Sequence, residues 1–598
     1  RASFLTPMLT TDMGKPELEI GEEQPPPITP FSTIGKSETY WTWYRPIALA
    51  FVLLITLLWL AVAVVFSPII IIGTAYRRYT VGRSTFHTNP SEVKIAVIGC
   101  GWTGIQCVAR LREIGVTDIQ AYERFDDVGG TWHPNVRYLG QQTHAPMHVT
   151  SFKDYPYSSE KDLLEGKIRG DEVQNYLARF IAEKNLRGCF KLNSTLKAVH
   201  YDSKQNTALI DVEYSDSGLI VSEGPFDLVV FSAGTTYPNV PIFPGQEDFQ
   251  GTIIHSHDLK KENFRSMVQQ NKKVSILGGG KTAVDLVLLF QRIGYDNFAW
   301  IYRNAFLFCK MELFFGPQSV WRIPLGLSNI IALFSSLISV QLTRWLLWCN
   351  GCAWTYDGSK PMNTAKFKGG QICPDQRNLV RSVEKHRMHK SDIQSLKPSG
   401  IQLTNGNFVE TDVLLLGTSS LTGIDMIKFT KDGKSYDIEN CPKMLNYFTL
   451  QDFPVFATTS SLFTLGPMRG CNVAELAVYH LCVQRRNLSL SQCQSITRWQ
   501  LGNVNDVKKL AFMNNEINFI EEWSLLYTGM VLSGLVDVVD ILYHFIGMLC
   551  WSRQQPLQMD ILPNRKVLMF EKNCLKQNVT NQEQKRLLSD KIVLNIMN

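Results

Sequence analysis

Two stretches of this chain repeat one pattern, and that pattern limits the possible folds more than any other feature. Residues 93–123 read VKIAVIGCGWTGIQCVARLREIGVTDIQAYE. The apolar run Ile95 to Ile98 reads as a buried strand and passes directly into Gly99-Cys100-Gly101-Trp102-Thr103-Gly104. A helical stretch follows from Ile105 to Ile114, then a second strand, Ile119 to Tyr122, closed by Glu123. Residues 272–285, KKVSILGGGKTAVD, repeat the arrangement, with Gly278-Gly279-Gly280-Lys281-Thr282-Ala283 after the strand and Asp285 shortly beyond. The strand that follows, Phe298 to Tyr302, ends at Arg303. Strand, glycine turn, helix and parallel strand form one βαβ unit, so the chain reads as α/β with two such units.

Each position has a physical task. Gly99 permits the tight turn, Gly101 lets a pyrophosphate approach the backbone, and Gly104 lets helix and strand pack closely. Cys100, Trp102 and Thr103 complete the loop, whose helix N-terminus offers N–H groups and partial positive charge to phosphate. Glu123 can accept from a ribose 2′-OH. The first loop by itself leaves FAD and NAD open. In the second loop Gly278 and Gly280 take the same tasks, and Ala283 is small enough for close packing. Lys281, Thr282 and Asp285 are grouped with its nucleotide contacts. Gly-Lys-Thr mimics a triphosphate loop, but Ser275 stands where that loop needs glycine. Arg303 occupies the place of the first unit's acid. An acid there repels a 2′-phosphate, whereas Arg pairs with one, so the second nucleotide reads as NADPH.

Gly129-Gly130-Thr131-Trp132 follows the first unit closely. A GxGxxG, an acid and then GG-x-W resemble the flavin-containing monooxygenase family (dimethylaniline monooxygenase-like). The stretch from Phe249 and Gly251 to His255 resembles that family's fingerprint, with Leu259 where an aromatic is usual. Ser232-Ala233-Gly234, after a strand read from Phe226 to Phe231, and Leu416-Gly417-Thr418, at the end of a strand read from Val413 to Leu416, resemble its two crossings between nucleotide domains, and Leu465 to Gly470 its last flavin contact. The resemblance covers about residues 92–550. It implies two nested Rossmann-like dinucleotide-binding domains, for FAD and NADPH, the second inserted into the first. The expected division is a disordered tail 1–45, a transmembrane anchor 46–76, and FAD-binding parts 90–240 and 418–522. The NADPH-binding part is 241–417 with an apolar insertion at about 305–355, followed by an amphipathic helix 523–551 and a polar tail 552–598.

The resemblance also implies chemistry. NADPH reduces FAD, the reduced flavin takes O2 to a hydroperoxide, and one oxygen passes to a soft nitrogen or sulfur, or to a ketone. Family members often carry an Asn about nine residues before an aromatic-x-D-[FY]-P segment, which here is Phe152-Lys153-Asp154-Tyr155-Pro156. Counting back places His144 there, within Thr143-His144-Ala145. These three are expected at the cofactors, with His144 catalytic; His can donate as Asn does, but it titrates near neutral pH. Three rivals stand beside oxygenation at nitrogen or sulfur. One is a Baeyer–Villiger-type ketone oxygenase, against which Leu259 speaks. One is a flavin disulfide reductase resting on Cys349 and Cys352. The last is a non-catalytic, membrane-tethered NADPH sensor.

Composition sets the surroundings. The 598 residues are 45% hydrophobic, which excludes a mostly disordered chain. A net charge of +6 is too mild for a nucleic-acid partner. The chain opens on Arg1 rather than Met, so a start further upstream is expected. Residues 47–73 carry no charge, and none occurs between Arg45 and Arg77. A bilayer core needs about 20 apolar residues, so this run is expected to be a single-pass anchor. Arg77, Arg78 and Arg83 put the longer C-terminal part in the cytosol, where 13 cysteines stay reduced. The endoplasmic reticulum is the expected membrane. Residues 323–343 and 523–551 read as membrane-touching, the latter through one polar face of Ser533, Asp537, Asp540 and His544. The expected partners are O2, a small lipophilic substrate and membrane lipid.

Overall fold

The structure, a computed structural model, describes residues 88–143, 152, 155, 163–164, 167–305, 383–418, 420–421, 423–438, 444–445, 449–450, 452–458 and 469–482. His144, Ala145, Cys349, Cys352, residues 465–468, the expected anchor 46–76, the stretches 323–343 and 523–551 and both tails lie outside these. Among the described residues no helix is long and apolar enough to cross a membrane.

The chain first lays down β1 (Lys94–Ile98), α1 (Trp102–Ile114), β2 (Asp118–Tyr122), α2 (Gly170–Glu183), β3 (Phe190–Lys191) and β4 (Leu228–Phe231). It then builds β5 (Thr252–His255), α3 (Lys261–Gln269), β6 (Val274–Leu277), α4 (Lys281–Arg292), β7 (Phe298–Tyr302), β8 (Met388–Lys390) and β9 (Val413–Leu416). Last come β10 (Met444–Leu445), β11 (Thr449–Leu450), β12 (Phe456–Thr458) and α5 (Arg469–Cys482). The first sheet has the order β10-β11-β12-β4-β1-β2-β3, and the second β5-β9-β6-β7-β8. Every pairing in the second is parallel. All strands of the second sheet fall between β4 and β10 in the chain, so the first sheet is assembled from segments on both sides of the second. The two crossings meet: Tyr237–Pro238 pairs antiparallel with Ser420–Leu421, and the Thr418 hydroxyl donates to the Asn239 carbonyl at 2.6 Å.

Sequence periodicity explains the layering. Ile105, Val108, Leu111 and Ile114 recur at helical spacing and are buried, which lays α1 on the first sheet. Gly115 ends that helix in the left-handed region at φ 113°. The β1 residues Ile95, Ala96 and Val97 are fully buried, as a central parallel strand covered on both faces requires. The strand expected from Phe226 to Phe231 is two elements. Phe226 ends a strand of a third sheet, formed by residues 194–202, 207–214, 219–226, 428–431 and 434–435. Asp227 separates them because its carboxylate accepts the Lys94 amide at 2.7 Å, and β4 starts at Leu228. α1 begins three residues earlier than expected, directly from its Gly101 cap.

Candidate active site

The turn out of β1 is held open by the absence of side chains. Gly99 has φ 94°, and a Cβ there would lie 2.6 Å from Ala233 Cα in the Ser232-Ala233-Gly234 crossing. A Cβ on Gly104 would overlap the Gly99 carbonyl oxygen, so α1 touches the turn itself. Gly130 lies against Gly101, where a Cβ would come to 2.8 Å of Gly101 Cα. Gly129 donates its amide to the Cys100 carbonyl at 3.1 Å. The GG-x-W segment, with Thr131 and Trp132 in a short 3-10 turn, therefore forms the second wall of the first loop.

Glu123 is buried, and its carboxylate accepts the Cys100 amide at 2.8 Å and the Phe125 amide at 3.2 Å. Burial raises its carboxyl above the ordinary range, and these amides oppose that shift. The acid closing β2 thus braces the loop. Trp102 stacks on Tyr176 at 5.7 Å and meets Phe152 edge-on at 4.7 Å. Its buried indole Nε1 has no hydrogen-bond partner among the described residues. A buried donor without an acceptor, beside a helix N-terminus, fits an anionic cofactor group. The opposite side is closed by α5, whose Gly470 amide donates to Gln106 Oε1 at 2.9 Å. Glu475 on α5 is 1% exposed and takes Arg110 Nη2 at 2.6 Å and Nε at 3.1 Å. Nothing in the spacing of Gln106, Arg110 or Glu475 marks them in the sequence; their contacts span more than 360 residues.

The second loop solves the same packing problem differently. Gly278 has φ 136°, and a Cβ on it would lie 2.5 Å from the Gly417 carbonyl. Ala283 is fully buried where the first loop has Gly104. The space its methyl needs comes from the crossing strand: a Cβ on Gly417 would lie 2.7 Å from both Ala283 Cα and Cβ. Gly280 caps α4, and a Cβ there would meet nothing within 4 Å. That leaves open backbone at the helix N-terminus, the feature a pyrophosphate needs.

Lys281 and Asp285 are paired with each other, one turn apart on α4. The Tyr138 hydroxyl donates to the same carboxylate at 2.8 Å. Burial raises the Asp285 carboxyl, and Lys281 and Tyr138 act against that shift. Thr282 is half-buried beside them. Arg303, at the end of β7, is 75% exposed with Asp392 3.8 Å away, so its guanidinium is largely available to a ligand. His255 and His257 stand edge-on at 4.5 Å, buried at the crossing, with His257 Nε2 3.1 Å from Ser420 Oγ. Thr143 sits in the wall of the first unit, its amide donating to Ile168 O at 2.9 Å.

Fold and loops together define a flavoprotein with two dinucleotide sites. Residues 92–299 match the family model of flavin-binding monooxygenase-like proteins. The trimethylamine monooxygenase of Pelagibacter ubique is 27% identical over 35% of this chain and 51% of its own length. A Baeyer-Villiger monooxygenase of Streptomyces coelicolor is 30% identical over 34% of this chain and 38% of its own. The chain thus spans about half or less of these two relatives. A solved structure described as oxidised steroid monooxygenase bound to NADP superposes with TM-score 0.53 at 15% identity, covering 74% of this chain and 98% of that one. That likeness carries the fold. FAD and NADPH are the cofactors of this class, and the residues described above fit both.

Proposed function

We propose that the chain catalyses NADPH- and O2-dependent oxygenation of a small lipophilic compound at a nucleophilic nitrogen or sulfur. The observation that carries this reading is the pair of loops, one leaving β1 of the first sheet and one leaving β6 of the second, joined at crossings where Ala233 and Gly417 pack directly on them. FAD, when bound, supplies the redox and oxygen chemistry. The protein's own work is orientation and exclusion of water. The first loop, with Gly101, Gly130 and Trp102 Nε1, holds FAD. The second, with Gly280 at the N-terminus of α4 and Arg303 at the end of β7, holds NADPH, and Arg303 selects its 2′-phosphate. His144, outside the described residues, is assigned the role of hydrogen-bond donor to the reacting group.

The relative named as a Baeyer-Villiger monooxygenase supports a second reading, oxygenation of a ketone. The relative named as a trimethylamine monooxygenase supports the first. A product panel separates them: a tertiary amine, a thioether and a cyclic ketone, each incubated with protein, NADPH and O2. N-oxide or S-oxide without lactone supports the first reading, and lactone alone supports the second. The reading includes a single-pass anchor in 46–76, placing catalysis on the cytosolic face of the endoplasmic reticulum. The uncharged run between Arg45 and Arg77 supports it. Release of the full chain from membranes by alkaline carbonate would refute the anchor.

A further inference from the structure

The stretch from Gly129 to Thr143 is tied at both ends to the first unit and lies in between against the second. At its start the Gly129 amide donates to Cys100 O at 3.1 Å, and Gly130 touches Gly101. At its end the Thr143 hydroxyl accepts the Ile168 amide at 3.1 Å. Between these anchors the Lys260 ammonium donates to the Pro134 carbonyl at 2.8 Å. Leu139 packs against the core beneath α4, and Gly140 faces Leu289. Tyr138 is 8% exposed and sends its hydroxyl to Asp285. Asp285 in turn holds Lys281, the first residue of α4 after the Gly280 cap.

Apolar contacts are non-directional, and the exposed Lys260 ammonium, on a flexible stem with three rotatable donors, can follow its acceptor, so both tolerate sliding. A hydroxyl donating to a buried, charge-paired carboxylate does fix one. Tyr138 therefore sets the register between a strap continuous with the flavin loop and the helix end of the nicotinamide-nucleotide loop. Hydride transfer needs donor and acceptor within about 3–3.5 Å, and a misplacement of about 1 Å can cost a hundredfold.

We propose that Tyr138 is a positioning residue for hydride transfer: through Asp285 and Lys281 it fixes the NADPH loop relative to the flavin loop. The proposal rests on the FAD and NADPH reading of the two loops. The test is anaerobic stopped-flow reduction of the FAD-loaded full chain by NADPH, in wild type, Tyr138→Phe, Asp285→Asn and the double variant. NADP+ dissociation constants, FAD content and reduction by dithionite are measured alongside. In Tyr138→Phe the reduction rate constant is expected to fall about tenfold or more. Its NADP+ affinity is expected within about threefold of wild type, with flavin content and dithionite reduction unchanged. The double variant is expected to lose less than the two single losses multiplied, because both changes break the Tyr138–Asp285 contact and only the Tyr138–Thr282 bond is lost separately. Wild-type reduction in Tyr138→Phe overturns the proposal, and so does a loss wholly accounted for by weaker nucleotide or flavin binding. Independent, multiplying losses in the double variant overturn it as well. Where Asp285→Asn fails to fold, Tyr138→Phe decides alone. A wild type that NADPH does not reduce overturns both this proposal and the functional reading, and so is distinguishable from failure of the proposal alone.

Discussion

Replacing Gly417 with Ala tests why the second loop can end in alanine. Helix α4 approaches the crossing through Ala283, and a methyl on Gly417 would lie 2.7 Å from Ala283 Cα, 2.7 Å from its Cβ and 2.9 Å from its amide nitrogen. Carbon atoms rest at about 3.5–4.0 Å, so α4 or the crossing must retreat by about an ångström. Overpacking of this kind costs about 1–3 kcal/mol. Because the displaced element is the helix whose N-terminus faces the nucleotide, part of that cost appears in binding. At about 1.4 kcal/mol per tenfold, the whole cost corresponds to roughly five- to a hundredfold, so NADP+ affinity is expected to weaken by up to that amount. Ala283→Gly in the same chain removes only the Cβ contact and leaves the two backbone contacts, so it restores part of the loss. The assay is NADP+ titration with thermal unfolding of wild type, both single variants and the double. Wild-type affinity and midpoint in Gly417→Ala would refute the reasoning. Full recovery in the double variant would show that the backbone contacts do not matter.

Arg110→Met leaves Glu475 buried without its cation and is expected to cost about 3–5 kcal/mol in denaturant unfolding, with loss of FAD retention; a change under about 1 kcal/mol would count against the α1–α5 clamp. Arg303→Ala is expected to reduce the preference for NADPH over NADH roughly ten- to a hundredfold, mainly by harming NADPH, as kcat/KM ratios would reveal. Burial pushes the His257 imidazole down to about 4 from 6.5, with His255, Lys260 and Arg124 adding to it. The unfolded chain then binds the proton first, so stability falls as pH drops below 6.5, by about 1.4 kcal/mol per unit, until about 4. His257→Gln should flatten that part of the pH–stability curve, and an unchanged slope would contradict the assignment.

The parts of this fold that could be read in advance are local ones. The β1-loop-α1-β2 unit is written in consecutive residues, because apolar runs, glycines and the closing acid lie within one short stretch. Glu123 was legible as a loop residue, although its observed partners are the amides of Cys100 and Phe125. Lys281 and Asp285 were legible as residues of the second loop, and their pairing with each other is what the structure adds. Tyr138 was not: its partner is 147 residues away, and a tyrosine in a loop carries no periodic signal. The same holds for Gln106 and Glu475, whose roles exist only once α5 docks on α1. The break between Phe226 and Leu228 is not legible either, because an apolar run does not reveal that the Asp227 side chain takes a backbone amide from β1.

The most direct test of the central claim is oxygen accounting. The full chain, loaded with FAD, is given NADPH, O2 and a tertiary amine or thioether, and NADPH consumed, oxygenated product and hydrogen peroxide are measured together. Product is expected to rise in step with NADPH consumption, with peroxide a minor fraction. If NADPH is consumed and the oxygen is recovered as peroxide with every substrate in the panel, the chain is an NADPH oxidase and the monooxygenase reading is contradicted.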